Sequence, residues 1–128
     1  RFLALLVVLA SGACDDDPTV PPEPPAEYVV EVSGEEFAVR VTTTDQVDAM
    51  EARLESGVEG VINGALAAGD GGFNEPWSWH MVPATVEAPD MAMEVCDGRP
   101  GMVEDDLDYW LDTVERFCPW GAVVKGRR

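Results

Sequence analysis

The sequence predicts an α+β domain in which two helices pack on a small antiparallel sheet. Residues 28–42 alternate apolar and polar side chains around a glycine, which is typical of a β-hairpin. Apolar residues recur at helical spacing before Gly57 and again after Pro100. Between these segments, short apolar stretches bounded by glycine or proline favour further strands, at 58–66, 77–82 and 85–88.

The N-terminal β-hairpin has the clearest pattern. A two-residue turn at Gly34-Glu35 would place Ser33 opposite Glu36. The apolar residues of both strands would then lie on one face of the sheet. The cross-strand pairs predicted by this turn are Val32 with Phe37, Val30 with Val39, and Tyr28 with Val41.

Both predicted helices have recognisable ends. Thr44 or Asp45 would cap the first helix, and Gly57 would end it. The second helix begins near Pro100, because proline suits a first helical turn. The apolar sides are Val47, Met50 and Leu54 in the first helix, and Val103, Leu107, Trp110, Leu111 and Val114 in the second.

Residues 1–14 are interpreted as a lipoprotein-type export signal. Arg1 precedes an apolar run that is too short to span a bilayer as a stable helix. Small residues then precede Cys14, as in the lipobox of bacterial lipoproteins, although Ser11 stands where leucine is usual. We therefore expect a lipid on Cys14, with the membrane as partner and a location in the cell envelope outside the cytoplasmic membrane. Ordinary secretion and a cytoplasmic product are the alternatives.

The rest of the chain divides into three parts. Residues 15–27 are rich in aspartate and proline, which favours an extended, disordered tether. Residues 28–124 form the single α+β domain, which is a usual size for one domain. Residues 125–128 are expected to be a frayed basic tail.

The charge of the chain limits its partners. With 8 basic and 25 acidic residues, the formal net charge is −17. This argues against binding to nucleic acid or to anionic lipid headgroups, since both need basic side chains. A cationic partner or a divalent metal fits the charge, and plain solubility is the alternative. The acidic residues Asp90, Glu94 and Asp97 lack the spacing of a calcium loop, so no metal or cofactor is predicted.

Two cysteines remain once Cys14 is assigned to a lipid. Export would place Cys96 and Cys118 in an oxidising compartment, which favours a disulfide between them. A loop of roughly twenty residues closed in this way contributes roughly 3 kcal/mol to stability. A catalytic thiol or a metal-binding pair is the alternative.

The segment 77–80 supplies candidates for function. Strand alternation would place Trp77 and Trp79 on one face, with Ser78 and His80 on the other. The leading hypothesis is a non-enzymatic binding module for an unknown protein or small molecule. Its alternative is a small hydrolase that uses His80 with Ser78 or a nearby carboxylate. The candidate binding surface consists of Asn74, Trp77, Trp79, His80 and Trp120, although the tryptophans would equally suit a core.

Several motifs together resemble a known family. They lie at residues 74–80, 83–87, 91–97, 103–104 and 118–120. The resemblance is to the N-terminal domain of an amoebal calmodulin-binding protein family, which also occurs as a stand-alone secreted domain in bacteria. It implies an exported α+β domain with paired cysteines, and no established enzymatic activity. The chain departs from the family pattern before Cys118, where residues 110–116 are bulky or charged rather than glycine-rich.

Cys14→Ser is expected to release the protein from membranes, because the thiol that would carry the lipid is lost. Cell fractionation followed by immunoblotting measures this release. Ser11→Leu, which restores the common lipobox residue, is the control and should stay at the membrane. Unchanged membrane association and processing of Cys14→Ser would contradict lipidation.

Overall fold

The computed structural model describes residues 19–128. The predicted export signal, Cys14 and the first residues of the tether lie outside the described residues. The strands are β1 Ala26–Val32, β2 Glu35–Val41, β3 Gly64–Ala68, β4 Trp79–Met81, β5 Arg116–Phe117 and β6 Ala122–Arg127. The α-helices are α1 Thr44–Ser56, α2 Pro100–Asp105 and α3 Leu107–Tyr109. Among residues 19–128, no helix has the length and apolar character needed to cross a bilayer.

The strands form two antiparallel sheets of three strands each, in the orders β2-β1-β6 and β4-β3-β5. This confirms the α+β class. Between the strands lie two 3₁₀ turns, Pro83–Thr85 and Glu94–Cys96, and a π-helical turn, Trp110–Val114, follows α3. The predicted strand at 85–88 is therefore wrong, apart from a single bridge between Glu87 and Asn63.

The hairpin forms, but its turn lies one residue earlier than predicted. Ser33 and Gly34 occupy the turn with positive φ angles of 51° and 82°, as a type I′ turn requires. The pairs are consequently Val30 with Phe37, Tyr28 with Val39, and Ala26 with Val41, and the predicted pairs are wrong. Each pairing shifts by two residues, so the same apolar side chains still lie on the core face.

Helix α1 begins with a capping box that starts one residue before the predicted caps. The Thr43 hydroxyl accepts a hydrogen bond from the Gln46 N–H at 3.2 Å, and the Gln46 side chain accepts one from the Thr43 N–H at 3.0 Å. The Gln46 amide also donates to the carbonyls of Pro83 and Val86, which ties the start of α1 to the 3₁₀ turn. Gly57 ends the helix in the left-handed conformation, as predicted.

The second predicted helix is interrupted. Asp106 leaves the helical region, with φ −139° and ψ 55°, and separates α2 from α3. Glu115 then adopts a left-handed conformation, with φ 65°, directly before β5. These two breaks let the chain turn back, so that β5 can pair with β3.

The C-terminal residues are not a frayed tail. β6 continues to Arg127, which pairs with Tyr28 of β1. Hydrogen bonds from the Arg127 guanidinium to the Glu51 carboxylate lower the pKa of Glu51 and hold β6 against α1. Burial raises the pKa of the neighbouring Tyr28 hydroxyl above its ordinary range. The basic residues predicted to fray therefore extend the sheet, because α1 and β1 offer them partners.

An aromatic cluster joins the two sheets. Trp79 of β4 is fully buried, and its ring centroid lies 5.6 Å from Phe37 of β2 and 5.3 Å from Phe117 of β5. Trp110 of the π-helical turn packs edge-on against Phe117 at 5.9 Å. The prediction that Trp79 belongs to a core face is confirmed.

Trp79→Ala is expected to lower the free energy of unfolding by about 3–5 kcal/mol, because it empties a buried aromatic site. Denaturant unfolding followed by circular dichroism measures the change. Trp120 is exposed, so Trp120→Ala is a size-matched control that should cost about 1 kcal/mol or less. Equal stability of the two variants would show that Trp79 does not hold the sheets together.

Candidate functional site

Two of the five residues predicted to form a binding surface are buried. Asn74 and Trp79 are both 0% exposed, so neither can meet a ligand at the surface. The Asn74 side chain accepts a hydrogen bond from the Ala38 N–H at 2.7 Å and donates one to the Trp79 carbonyl at 2.8 Å. Asn74 thus connects β2 with β4, and its role is structural.

Trp77 and His80 are half-buried and held by local contacts. The Trp77 indole N–H donates to the Glu36 carbonyl at 2.8 Å, and its ring packs on Trp79. His80 Nδ1 lies 2.8 Å from the Gly69 carbonyl oxygen, and its ring meets Phe73 edge-on at 5.5 Å. Neither residue lies beside Trp120, so the predicted five-residue surface does not assemble.

Ser78 is engaged by a carboxylate rather than by histidine. Its hydroxyl donates to Glu104 Oε1 at 2.7 Å, and its backbone N–H donates to Glu104 Oε2 at 2.9 Å. Within residues 19–128, no hydrogen bond joins Ser78 to His80. The two hydrogen bonds to Glu104 tie the chain before β4 to α2, which gives Ser78 a structural partner.

A disulfide joins Cys96 to Cys118, as the cysteine count predicted. Their Cα atoms lie 5.0 Å apart, and the Cys118 N–H donates to the Cys96 carbonyl at 2.7 Å. Both side chains are buried with Val61 in a small satellite core. The bridge is possible because the helical segment between the cysteines breaks at Asp106 and turns back at Glu115.

The disulfide holds a loop that exposes large apolar side chains. Met91, Met93 and Val95 are 75%, 63% and 60% exposed. The backbone of this loop lies over the bridge, since the Met93 carbonyl oxygen is 3.2 Å from each sulfur atom. Isolated exposed apolar residues are ordinary, but a group of them on one loop marks an interaction site.

Two more exposed residues adjoin this loop. The Trp120 N–H donates to the Asp97 side chain at 2.9 Å, which places Trp120 beside the end of the loop. A side chain added at Gly98 would meet the sulfur of Met102 at 3.4 Å, so Met102 lies against the same stretch. We call these exposed residues the methionine surface: Met91, Met93, Val95, Met102 and Trp120.

Arg53 fixes the start of the loop. Its guanidinium donates to the carbonyls of Val61, Ala88 and Pro89 at 3.0–3.1 Å. Gly60 makes room for it, since a Cβ at that position would overlap the guanidinium. An arginine in the last turn of a helix gives no sequence signal for such a role.

A shallow cavity of about 270 Å³ lies where the loop begins. Val58 and Pro89 form apolar parts of its wall, and Glu59 and Asp90 contribute carboxylates. Asp90 directly precedes Met91, so the cavity adjoins the methionine surface.

The loop itself carries only negative charge. Asp90, Glu94 and Asp97 lie among its apolar residues, and 88–98 contains no lysine or arginine. Arg99, which follows, donates to Glu35 at 2.8 Å and lowers the pKa of that carboxylate. Among the described residues, no group of three or more histidine, cysteine, aspartate or glutamate side chains is placed to hold a metal ion.

The family model of the N-terminal domain of the amoebal calmodulin-binding protein matches residues 25–127, which include both sheets, the disulfide and the methionine surface. The chain belongs to this N-terminal domain family. The match confirms the resemblance drawn from the motifs and extends it over both ends of the β1–β6 pairing. The chain matches no curated protein and no solved structure. Membership therefore establishes the family and leaves the activity to be inferred from the site.

Replacement of both Cys96 and Cys118 by serine is expected to lower stability by roughly 3 kcal/mol, because the unfolded chain gains the freedom of the closed loop. Denaturant unfolding measures the loss. Hydrogen exchange should accelerate most at 91–98, which loses its covalent attachment, and less in the β1–β2 hairpin. Unchanged exchange at 91–98 would show that the disulfide does not order the loop.

Proposed function

We propose that the protein is an exported, lipid-anchored binding module, attached outside the cytoplasmic membrane through Cys14, and that the methionine surface is its binding site. The observation that carries the binding role is the exposure of Met91, Met93 and Val95 on a loop held by the Cys96–Cys118 disulfide. An apolar surface of this kind is buried favourably when a partner covers it.

The way the loop is held supports binding rather than incidental exposure. The disulfide fixes one end of the loop, and the hydrogen bonds from Arg53 fix the other. A site that is ordered in advance loses less conformational entropy when a ligand binds. Methionine side chains remain adaptable on such a backbone, because they are unbranched and polarisable.

The location is supported by the sequence of the N-terminal segment. The apolar run and the small residues before Cys14 favour lipid attachment, and the proline-rich stretch at 18–25 suits a spacer. The domain begins at Ala26, where β1 enters the sheet, so a spacer before it would hold the binding surface away from the bilayer.

A photo-reactive amino acid in place of Met93 is expected to cross-link to a partner in cells that express the protein. Irradiation followed by immunoblotting should show a product of discrete mass. The same amino acid at Asp45 is the control: Asp45 is exposed in the first turn of α1, at the opposite end of the first sheet from Trp120. Absence of a product at Met93, with normal protein abundance, would contradict a binding role for the methionine surface.

A further inference from the structure

We infer that the methionine surface receives a cationic amphipathic segment of a partner protein. This inference rests on the binding function proposed above and adds the chemistry of the partner. It follows from three features: the exposed apolar side chains, the adjoining cavity, and the carboxylates among them.

The apolar side of the partner segment is specified by the loop and the cavity. Met91, Met93 and Val95 offer extended apolar contact, and Trp120 lies at the other end of the same stretch. The cavity beside Asp90 has a volume of about 270 Å³, which is enough for one large side chain of the segment to anchor there. A helix or extended chain with one apolar face would cover both features.

The polar side of the segment is specified by charge. Asp90 and Glu94 are exposed, and within residues 19–128 neither forms an ion pair with a lysine or arginine. Glu59 adds a third carboxylate on the cavity wall. Arg53 lines the same cavity, but its guanidinium donates to three backbone carbonyls. Lysine or arginine residues that flank the apolar face of the segment would pair with the carboxylates.

The same charges disfavour the other occupants. A second copy of the chain would place Asp90 and Glu94 against their own equivalents if it docked through this surface, and each copy carries a net charge of −17. An anionic bilayer would be repelled for the same reason. An uncharged apolar ligand would leave the carboxylates beside it without partners.

Peptide binding to the full chain carrying Cys14→Ser tests the inference, because this variant has no lipid attachment site. The probes are three model peptides with leucine on one helical face and lysine, glutamine or glutamate on the other. Calorimetry should show the lysine peptide binding at least about tenfold more tightly than the glutamine peptide, and no binding of the glutamate peptide. Affinity for the lysine peptide should fall as salt is added.

Paired variants separate this site from general attraction to an acidic protein. Asp90→Asn with Glu94→Gln should weaken binding of the lysine peptide about tenfold. Asp45→Asn with Asp48→Asn makes the same change in net charge on α1 and should weaken it less than about twofold. Met93→Ser with Val95→Ser should also weaken binding about tenfold or more.

Several results would overturn the inference. These are equal affinity for the lysine and glutamine peptides, equal effects of the loop and α1 charge variants, or binding of the protein to anionic vesicles or to itself through Met93. A cross-link at Met93 in cells to a segment that is not cationic would also overturn it, while the proposed binding function would stand. Absence of that cross-link would instead remove the binding function itself.

Discussion

The structure depends on two adjacent residues, Phe117 and Cys118, which hold its two halves together. The Phe117 ring contacts Phe37 of the first sheet and Trp79 of the second, so it fixes the sheets to each other. Cys118 then bonds to Cys96 and fixes the loop that carries the methionines. Because strand β5 is only two residues long, its position relies on these contacts more than on its own ladder. A change at either residue would reach both the core and the methionine surface.

The surface chemistry of the protein is a contrast between charge and apolar exposure. A net charge of −17 favours a well-solvated surface, yet Met91, Met93 and Val95 remain uncovered. Each exposed side chain forgoes the free energy that burial would contribute, about 1.5–3 kcal/mol for a residue of this size. A partner that buried these side chains would recover part of it, after the costs of association. The disulfide and Arg53 keep the loop ordered while it is uncovered.

Local patterns predicted those features whose causes are local. The hairpin, helix α1 and its end at Gly57 follow from alternation, helical spacing and glycine chemistry. The burial of Asn74 was not predictable, because its partners come from β2 and β4, far apart in sequence. The exposure of Met93 was missed for a related reason: an apolar residue reads as core unless the absence of a covering element is known. The strand at the C-terminus also required a partner, β1, from the other end of the domain.

Oxidation of the methionines by dilute peroxide, followed by mass spectrometry, tests the binding surface most directly. Met50 and Met81 are buried and should resist oxidation, whereas Met91 and Met93 should react quickly in the purified protein. In intact cells a bound partner should slow the oxidation of Met91 and Met93 several-fold, relative to a reference methionine introduced by Asp45→Met on α1. Equal relative rates in cells and in the purified protein would show that the methionine surface has no occupant and would contradict the account.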